Sequence, residues 1–254
     1  KAEAEQCIAG QGAKCKGCLE ALRKEWKVMN GWEYRALFCH YTGQYYCPQC
    51  HKARTAPIPA RVLMYWDFKE YKVCDEAYRL IMGVYHRPML CVSATNPRLF
   101  DQVPALSVAR KLRLQLNILY HIMQECKDAP WDTIPAAQRY YMQETEIYSL
   151  WDLKRIHEVQ PKVLKSADTA PKSIPANELL VGLKRIRQKL IAHCVRECGT
   201  GCGPQVQQCC SLCSEEEPLY VFDINNTVQC PRCGKVYHKA CYKLQACRWC
   251  FATS

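Results

Sequence analysis

The 254-residue sequence contains no long uninterrupted apolar run. A bilayer-spanning helix needs roughly 18 to 20 apolar residues in a row, so the sequence predicts no membrane-spanning helix. The first residues, KAEAEQCIAG, also lack the apolar centre of a secretory signal. We therefore expect a cytoplasmic chain, and one that is part of a longer protein.

The sequence also lacks the local patterns of common enzyme sites. It has no P-loop, no dinucleotide-binding glycine motif and no Ser, His and Asp arrangement for nucleophilic catalysis. Internal repeats and low-complexity tracts are missing as well. We predict a protein that is not an enzyme and that acts by binding.

Cysteine, in contrast, is abundant, with 20 residues. The last part of the chain carries four ligand pairs with two residues inside each pair. They are Cys210 and Cys213, Cys230 and Cys233, His238 and Cys241, and Cys247 and Cys250. This spacing lets a tight turn direct both side chains to one ion, and zinc prefers thiolate and imidazole ligands. The pairs therefore predict two zinc sites, and reduced thiols at metal spacing indicate the cytosol.

A second cysteine cluster lies near the start of the sequence. It supplies six candidate ligands: Cys15, Cys18, Cys39, Cys47, Cys50 and His51. Six ligands make one and a half tetrahedral sites, and Cys198 and Cys202, with three residues between them, supply two more. We therefore expect four structural zinc ions in all, with shared metal joining the first and last parts of the chain.

Several alternatives to these ligands stay open. His40 is an alternative to His51, either His193 or Cys194 can replace Cys198, and Cys209 can replace its neighbour Cys210. Four other thiols have no partner at metal spacing, and we predict that they are buried structural residues: Cys7, Cys74, Cys91 and Cys126.

Helical periodicity dominates the middle of the sequence. Pro59 fits the first turn of a helix, and Ser149 with Asp152 resembles a capping box in which Asp replaces Glu. Two apolar stripes recur at helical spacing. They consist of Val108, Leu112, Leu116, Leu119 and Met123, and of Leu179, Leu183, Ile186 and Leu190.

We therefore predict a mainly α fold with small β ribbons, built on several structural zinc clusters. The segments are an N-terminal zinc cluster (1–56), a helical region (57–193) and a C-terminal zinc module (194–254), within one compact domain.

The net charge limits the kind of partner. Four Zn²⁺ add eight positive charges and fourteen thiolates remove fourteen, which lowers the formal charge from +11 to +5. A mildly basic chain argues against a nucleic-acid partner and suits an acidic protein or an anionic membrane surface.

Complete sets of four protein ligands make closed zinc sites, which are structural because catalysis needs an open position. The order of the terminal pairs resembles the cross-brace of FYVE and RING-variant modules, in which pairs one and three share a metal, as do pairs two and four. A RING-like ubiquitin ligase therefore remains an alternative. A FYVE-like phosphoinositide reader is another, although the loop after Cys213 reads SEEEP and has the wrong charge.

Three stretches together resemble the Rubicon-homology domain family. They are CHYTGQYYCPQCH followed by IPARVLMYWDFKEYKVC, then YSLWDLKRI, and finally VQCPRCGKVYHKACYKLQACRWC. The resemblance implies helices around four zinc clusters and no enzymatic activity. It also implies binding to a GTP-loaded Rab-type small GTPase of late endosomes and lysosomes. Through that contact the family regulates autophagosome maturation and endolysosomal traffic.

Overall fold

A computed structural model describes residues 2–27, 31–158, 178–198, 201–213, 217–245, 247 and 250. The helices are α1 (Ala2–Gly10), α2 (Pro59–Tyr65), α3 (Asp75–Val84), α4 (Val92–Thr95), α5 (Leu99–Gln102), α6 (Pro104–Met123), α7 (Tyr140–Gln143), α8 (Leu150–His157), α9 (Glu178–Ala192), α10 (Cys202–Val206) and α11 (Lys239–Leu244). Short 3₁₀ turns cover Trp131–Thr133 and Ala136–Gln138, and a π-helical segment covers His193–Glu197. Within the described ranges, no helix is long and apolar enough to cross a membrane.

All strands are short and pair antiparallel in two-stranded ribbons. They are β1 (Lys24–Lys27), β2 (Gly31–Tyr34), β3 (Leu37–Cys39), β4 (Gln44–Tyr46), β5 (Arg54–Pro57), β6 (Glu70–Val73), β7 (Leu90–Cys91), β8 (Ile147–Tyr148), β9 (Gln207–Gln208), β10 (Leu219–Tyr220), β11 (Thr227–Gln229) and β12 (Val236–His238). The ribbons are β1–β2, β3–β4, β5–β6, β7–β8, β9–β10 and β11–β12. The predicted combination of helices with small β ribbons is confirmed at this level.

The chain divides into two compact units. The first unit combines Lys1–Leu99 with Ile147–His157, and the second combines Phe100–Glu146 with Glu158–Ser254. The segment boundaries predicted at residues 56 and 193 lie within the first and the second unit, respectively.

The first unit is built on β5–β6 and the helices beside it. Pro59 occupies the first turn of α2, as predicted, because its missing N–H is not needed there. The core of the first unit includes Ala56, Ile58, Val62, Val73 and Ile81, all almost fully buried.

The predicted capping box at the start of α8 is confirmed. The Ser149 amide donates a hydrogen bond to the Asp152 carboxylate at 3.0 Å, and the Asp152 amide donates to the Ser149 hydroxyl at 3.0 Å. Both side chains are buried, so the box satisfies amides that water cannot reach.

In the second unit, α6 packs against α9 and α7. The stripe predicted on α9 is confirmed, since all four of its residues are buried. The stripe predicted on α6 is wrong at Val108, which is 40% exposed. The helix begins at Pro104, and Leu106 and Ala109 face the core together with Leu112 and Leu116.

Candidate metal centres

The first group of possible metal ligands consists of Cys15, Cys18, Cys47 and Cys50, whose sulfurs all lie within 4.8 Å of one another. Two tight turns provide the pairs. The Leu19 amide donates to the Cys15 carbonyl at 2.9 Å, and the Cys50 amide donates to the Cys47 carbonyl at 3.1 Å. The short β3–β4 ribbon leads into the second turn.

Gly17 permits the two turns of this group to approach each other. A Cβ atom at this position would lie 3.0 Å from the Cys50 sulfur and 3.2 Å from the Cys50 Cβ. Any larger residue would therefore push Cys50 away from the other three sulfurs. The sequence shows a glycine between Cys15 and Cys18. The close approach to Cys50 that requires this glycine is seen only in the structure.

The second group consists of Cys126, His193, Cys198 and Cys202. The Cys126 sulfur lies 3.3 Å from the His193 Nε2 and 3.6 Å from the Cys198 sulfur. Cys126 follows the end of α6, whereas His193 opens the π-helical segment that continues α9. The packing of α6 on α9 thus brings these ligands together, and π segments frequently occur at functional sites.

The third and fourth groups interleave along the C-terminal part of the chain. The third group is Cys210, Cys213, His238 and Cys241, and the fourth is Cys230, Cys233, Cys247 and Cys250. Pairs one and three of the sequence therefore meet, as do pairs two and four. This is the cross-brace order expected from the sequence. Residues 214–216, which carry most of the acidic SEEEP loop, lie outside the described residues.

A hairpin and a small apolar cluster hold the interleaved groups. The hairpin β11–β12 runs from just before Cys230 to His238, and Gly234 turns it with a φ of +72°. Leu219, Val236 and Tyr237 are buried among the cysteines. The ligands of both groups thus frame one small core.

The separations between ligand atoms fit a tetrahedral metal site. The sulfurs of Cys230 and Cys250 lie 3.6 Å apart, and those of Cys233 and Cys247 lie 3.4 Å apart. Four sulfurs at about 2.3 Å from one zinc ion would be about 3.8 Å from one another, whereas a disulfide needs about 2.05 Å. The groups therefore have the dimensions of metal sites and not of disulfides.

The thiol pKa values differ strongly within the first, third and fourth groups. In the fourth group, the amides of Cys233 and Arg232 hydrogen-bond to the Cys230 sulfur and lower its pKa to about 6. Burial, followed by the neighbouring sulfurs, raises the pKa of Cys250 to about 12. Because the first thiolate opposes ionisation of the others, a divalent cation at the centre would stabilise the fully ionised set.

The third and first groups show the same pattern. Burial opposes ionisation of Cys210, but the amides of His238 and Leu212 outweigh it and lower the pKa to about 6. Burial likewise opposes ionisation of Cys15, and the amides of Cys18, Cys47 and Gly17 lower its pKa to about 7. The first, third and fourth groups thus each contain a thiol whose lowered pKa suits it to be the first thiolate ligand.

Fourteen of the sixteen predicted ligands lie in these four groups, and Cys39 and His51 do not. The His51 Nε2 lies 3.2 Å from the Phe38 carbonyl oxygen, and its Nδ1 accepts a hydrogen bond from the Ala53 amide at 3.0 Å. The Cys39 sulfur accepts a hydrogen bond from the Cys74 amide at 3.2 Å. Both residues are buried and organise backbone in the first unit.

Cys126 and His193 are the two residues that complete the second group beside Cys198 and Cys202. Cys198 and Cys202, which the sequence predicts to share metal with the N-terminal cluster, lie with Cys126 and His193. His193 is one of the alternatives to Cys198 that the sequence leaves open. Cys126 was missed because it has no nearby partner in sequence and lies 67 residues before His193.

The other alternative ligands lie outside the four groups. His40 packs edge-on against Phe38. Cys194 is buried, which raises its pKa to about 11, and Cys209 is exposed. As each group has four ligands from the protein itself, bound metal would have no open position, and the sites suit structural support.

Residues 37–254 match the Rubicon Homology Domain family. Human "Pleckstrin homology domain-containing family M member 3" is 28% identical over 240 residues, covering 93% of this chain and 28% of that protein. Mouse "Run domain Beclin-1-interacting and cysteine-rich domain-containing protein" is 26% identical over 246 residues, covering 96% of this chain and 23% of that protein. Human "Protein associated with UVRAG as autophagy enhancer" is 25% identical over 248 residues, covering 96% of this chain and 33% of that protein.

The chain thus spans about a quarter to a third of the length of these relatives. The family match covers most of the chain and includes the interleaved C-terminal groups as well as Cys47, Cys50, Cys126 and His193. The chain belongs to the Rubicon Homology Domain family.

Proposed function

We propose that this chain is a zinc-stabilised protein-interaction domain that binds a GTP-loaded Rab-type small GTPase of late endosomes and lysosomes. In this role it regulates autophagosome maturation and endolysosomal traffic. Membership of the Rubicon Homology Domain family is the observation that carries the proposal. The name of one relative describes an autophagy enhancer, and that of another describes an interaction with Beclin-1.

Four structural zinc ions would give the domain its rigidity. The Cys/His groups supply four ligands each, at separations that suit tetrahedral zinc. Zinc binding contributes folding free energy directly, on the order of 10 kcal/mol per site in small zinc fingers. The zinc therefore holds the contact surface and takes no part in any reaction.

Rigidity matters because a GTPase differs between its nucleotide states mainly in the order of its switch segments. A rigid surface that is complementary to the ordered switches binds the GTP form and shifts its population. A flexible surface would adapt to both forms and lose this discrimination.

The end of α2 offers one such surface in the first unit. Met64 is 48% exposed and Tyr65 is 72% exposed, although both are large and apolar. Trp66 ends the helix in a left-handed conformation with a φ of 54°, and the Asn96 side-chain Nδ2 donates to the carbonyls of Leu63 and Met64. These contacts fix the helix end, so the two exposed side chains are presented in one arrangement.

Helix α9 offers a second candidate surface, in the other unit. Lys184, Arg185 and Lys189 are exposed, opposite the buried stripe. This basic face suits an acidic partner surface, and a cation at the rim of an interface mainly increases the association rate.

The test is binding of the purified, zinc-loaded domain to a late-endosomal Rab, loaded in parallel with a GTP analogue and with GDP. We expect a clear preference for the GTP form. Tyr65→Ala should weaken binding about tenfold, since a buried aromatic anchor contributes at least that much to an interface. Leu80→Ala is the matched control, because Leu80 is an equally apolar and 52% exposed helix residue of the same unit. Equal binding to both forms, or none, would overturn the proposal.

A RING-like ubiquitin ligase is the second candidate, favoured by the interleaved order of the third and fourth groups. Leu244 at the end of α11 is 85% exposed beside them and could contact a conjugating enzyme. Autoubiquitination with a panel of conjugating enzymes distinguishes the candidates, since only a ligase forms ubiquitin chains.

A further inference from the structure

The β1–β2 ribbon presents two exposed tryptophans. Trp26 and Trp32 face each other across the ribbon, with ring centroids 5.8 Å apart in an edge-to-face arrangement. Their exposed fractions are 63% and 59%. Large aromatic side chains are usually buried in soluble domains, so two adjacent exposed indoles indicate a contact surface.

The face of the ribbon that carries the indoles combines aromatic rings with a lysine. Lys24 and Tyr34 pair one step further along the same face, and the Lys24 ammonium lies 4.6 Å from the centre of the Tyr34 ring. Glu25 and Glu33 form the cross-strand pair between these two pairs. Their side chains belong to the opposite face, because side chains alternate along a strand. The aromatic face therefore carries positive charge and no carboxylate.

The chain segment that contains the ribbon is also rich in basic residues. Residues 11–35 contain six basic and three acidic side chains. One of the acids, Glu25, is bound to Arg35 at 2.9 Å. Lys14, Lys16 and Arg23 are exposed. These exposed cations are complementary to an anionic surface within a Debye length of the ribbon.

The base of the ribbon is attached to the first cysteine group. Lys14 and Ala21 form a β-bridge around the Cys15 turn, and the Leu22 amide donates to the Ala13 carbonyl at 2.8 Å. The Arg35 amide donates to the Arg23 carbonyl at 2.8 Å and closes the ribbon. The turn that carries Cys15 and Cys18 thus adjoins the base of the ribbon.

We propose that this ribbon is a membrane-contact element whose two indoles enter the interfacial region of an anionic phospholipid bilayer. Indole rings favour this region because they combine an apolar ring with a polar N–H, and nearby lysine and arginine attract anionic headgroups. A two-stranded ribbon has unpaired backbone edges, so it stays at headgroup depth and does not enter the hydrocarbon.

This inference goes beyond GTPase binding. The ribbon precedes residue 37, where the family match begins. In combination with the proposed GTPase contact, a weak bilayer contact increases the residence of the domain on a membrane, because the second contact becomes intramolecular.

The experiment uses protein-free vesicles and the zinc-loaded chain. Vesicles of equimolar phosphatidylcholine and phosphatidylserine are compared with vesicles of phosphatidylcholine alone, by co-sedimentation and by quenching of tryptophan emission with brominated lipids. We expect binding to the anionic vesicles and quenching of the wild-type emission. Each of Trp26→Ala and Trp32→Ala should reduce partitioning on the order of tenfold, and the double variant should abolish quenching.

Trp151→Ala is the matched control, because Trp151 is a 38% exposed tryptophan of the same unit that contacts His86. It should leave partitioning and most of the quenching unchanged. Zinc content and circular dichroism verify that each variant is folded. Absence of quenching in the wild-type chain would overturn the proposal without relying on any variant.

Several results would overturn the inference. They are absence of quenching in the wild-type chain, equal binding to neutral vesicles, and unchanged partitioning of the double variant. Loss of GTPase binding by the double variant, with vesicle binding retained, would instead assign the ribbon to a protein contact. As the vesicles contain no GTPase, failure of this proposal leaves the GTPase proposal standing, and the reverse also holds.

Discussion

The hydroxyl oxygen of Tyr237 lies 3.1 Å from the sulfur of Cys247, and both residues are buried. The phenol stabilises the Cys247 thiolate, so this contact lowers the pKa of Cys247, while burial and the same sulfur raise the pKa of Tyr237. A hydrogen bond to a ligand sulfur orients the ligand and tunes the site. The tyrosine thus links the small apolar core to the fourth cysteine group.

Replacement of this tyrosine should therefore weaken metal retention at the fourth group. Tyr237→Phe removes the hydroxyl and keeps the ring, so we expect about tenfold faster loss of zinc to a chelator. The measurement is competition with a chromogenic chelator. Tyr220→Phe is the control, because the Tyr220 hydroxyl meets Gln207 at 3.5 Å and no cysteine. Equal rates for both variants would show that the hydroxyl does not support the site.

Cys126 should be a metal ligand despite its isolation in sequence. Cys126→Ala removes one of the four ligands of the second group, and the zinc content should fall from four ions per chain to three. Elemental analysis of the purified variant measures this. Cys91→Ala should keep four, because the Cys91 sulfur lies 3.4 Å from the Ser93 hydroxyl and outside all four groups. An unchanged zinc content in the Cys126 variant would remove it from the ligand set.

His51 should stabilise the fold without binding metal. His51→Ala deletes the ring that lies between the Phe38 carbonyl and the Ala53 amide, and it should cost about 2 kcal/mol of unfolding free energy. The zinc content should not change. His40→Ala is the matched control, since His40 is exposed and should cost about 0.5 kcal/mol or less. Denaturant unfolding with excess zinc measures both, and loss of one zinc by the His51 variant would contradict this account.

The capping box of α8 should contribute measurably to stability. Ser149→Ala leaves the Asp152 amide without its hydroxyl partner in a buried position, and we expect a loss of about 1 to 2 kcal/mol. Ser107→Ala, inside α6, provides a comparison at a serine that caps no helix. Thermal unfolding distinguishes the two, and a similar small effect for both would mean that the box does not hold the helix start.

Local patterns predicted local structure well. The capping box depends on two residues three apart, and the α9 stripe depends on a regular helix, so both follow from spacing alone. The interleaved C-terminal groups could also be expected, because the order of four close pairs leaves few ways to share two ions.

Contacts distant in sequence could not be predicted in the same way. Cys126 and His193 lie 67 residues apart and meet because α6 packs on α9, which no local spacing encodes. His51 adjoins Cys50 and has the chemistry of a ligand, but its ring is turned towards backbone groups. Only the three-dimensional packing decides between these two roles for a histidine.

An anomalous difference map tests the four proposed zinc sites most directly. It is recorded at the zinc absorption edge from crystals of the purified chain. We expect four peaks, one at the centre of each Cys/His group, including one between Cys126 and His193. A map without peaks at these groups, or with a peak beside Cys39 and His51, would contradict this expectation.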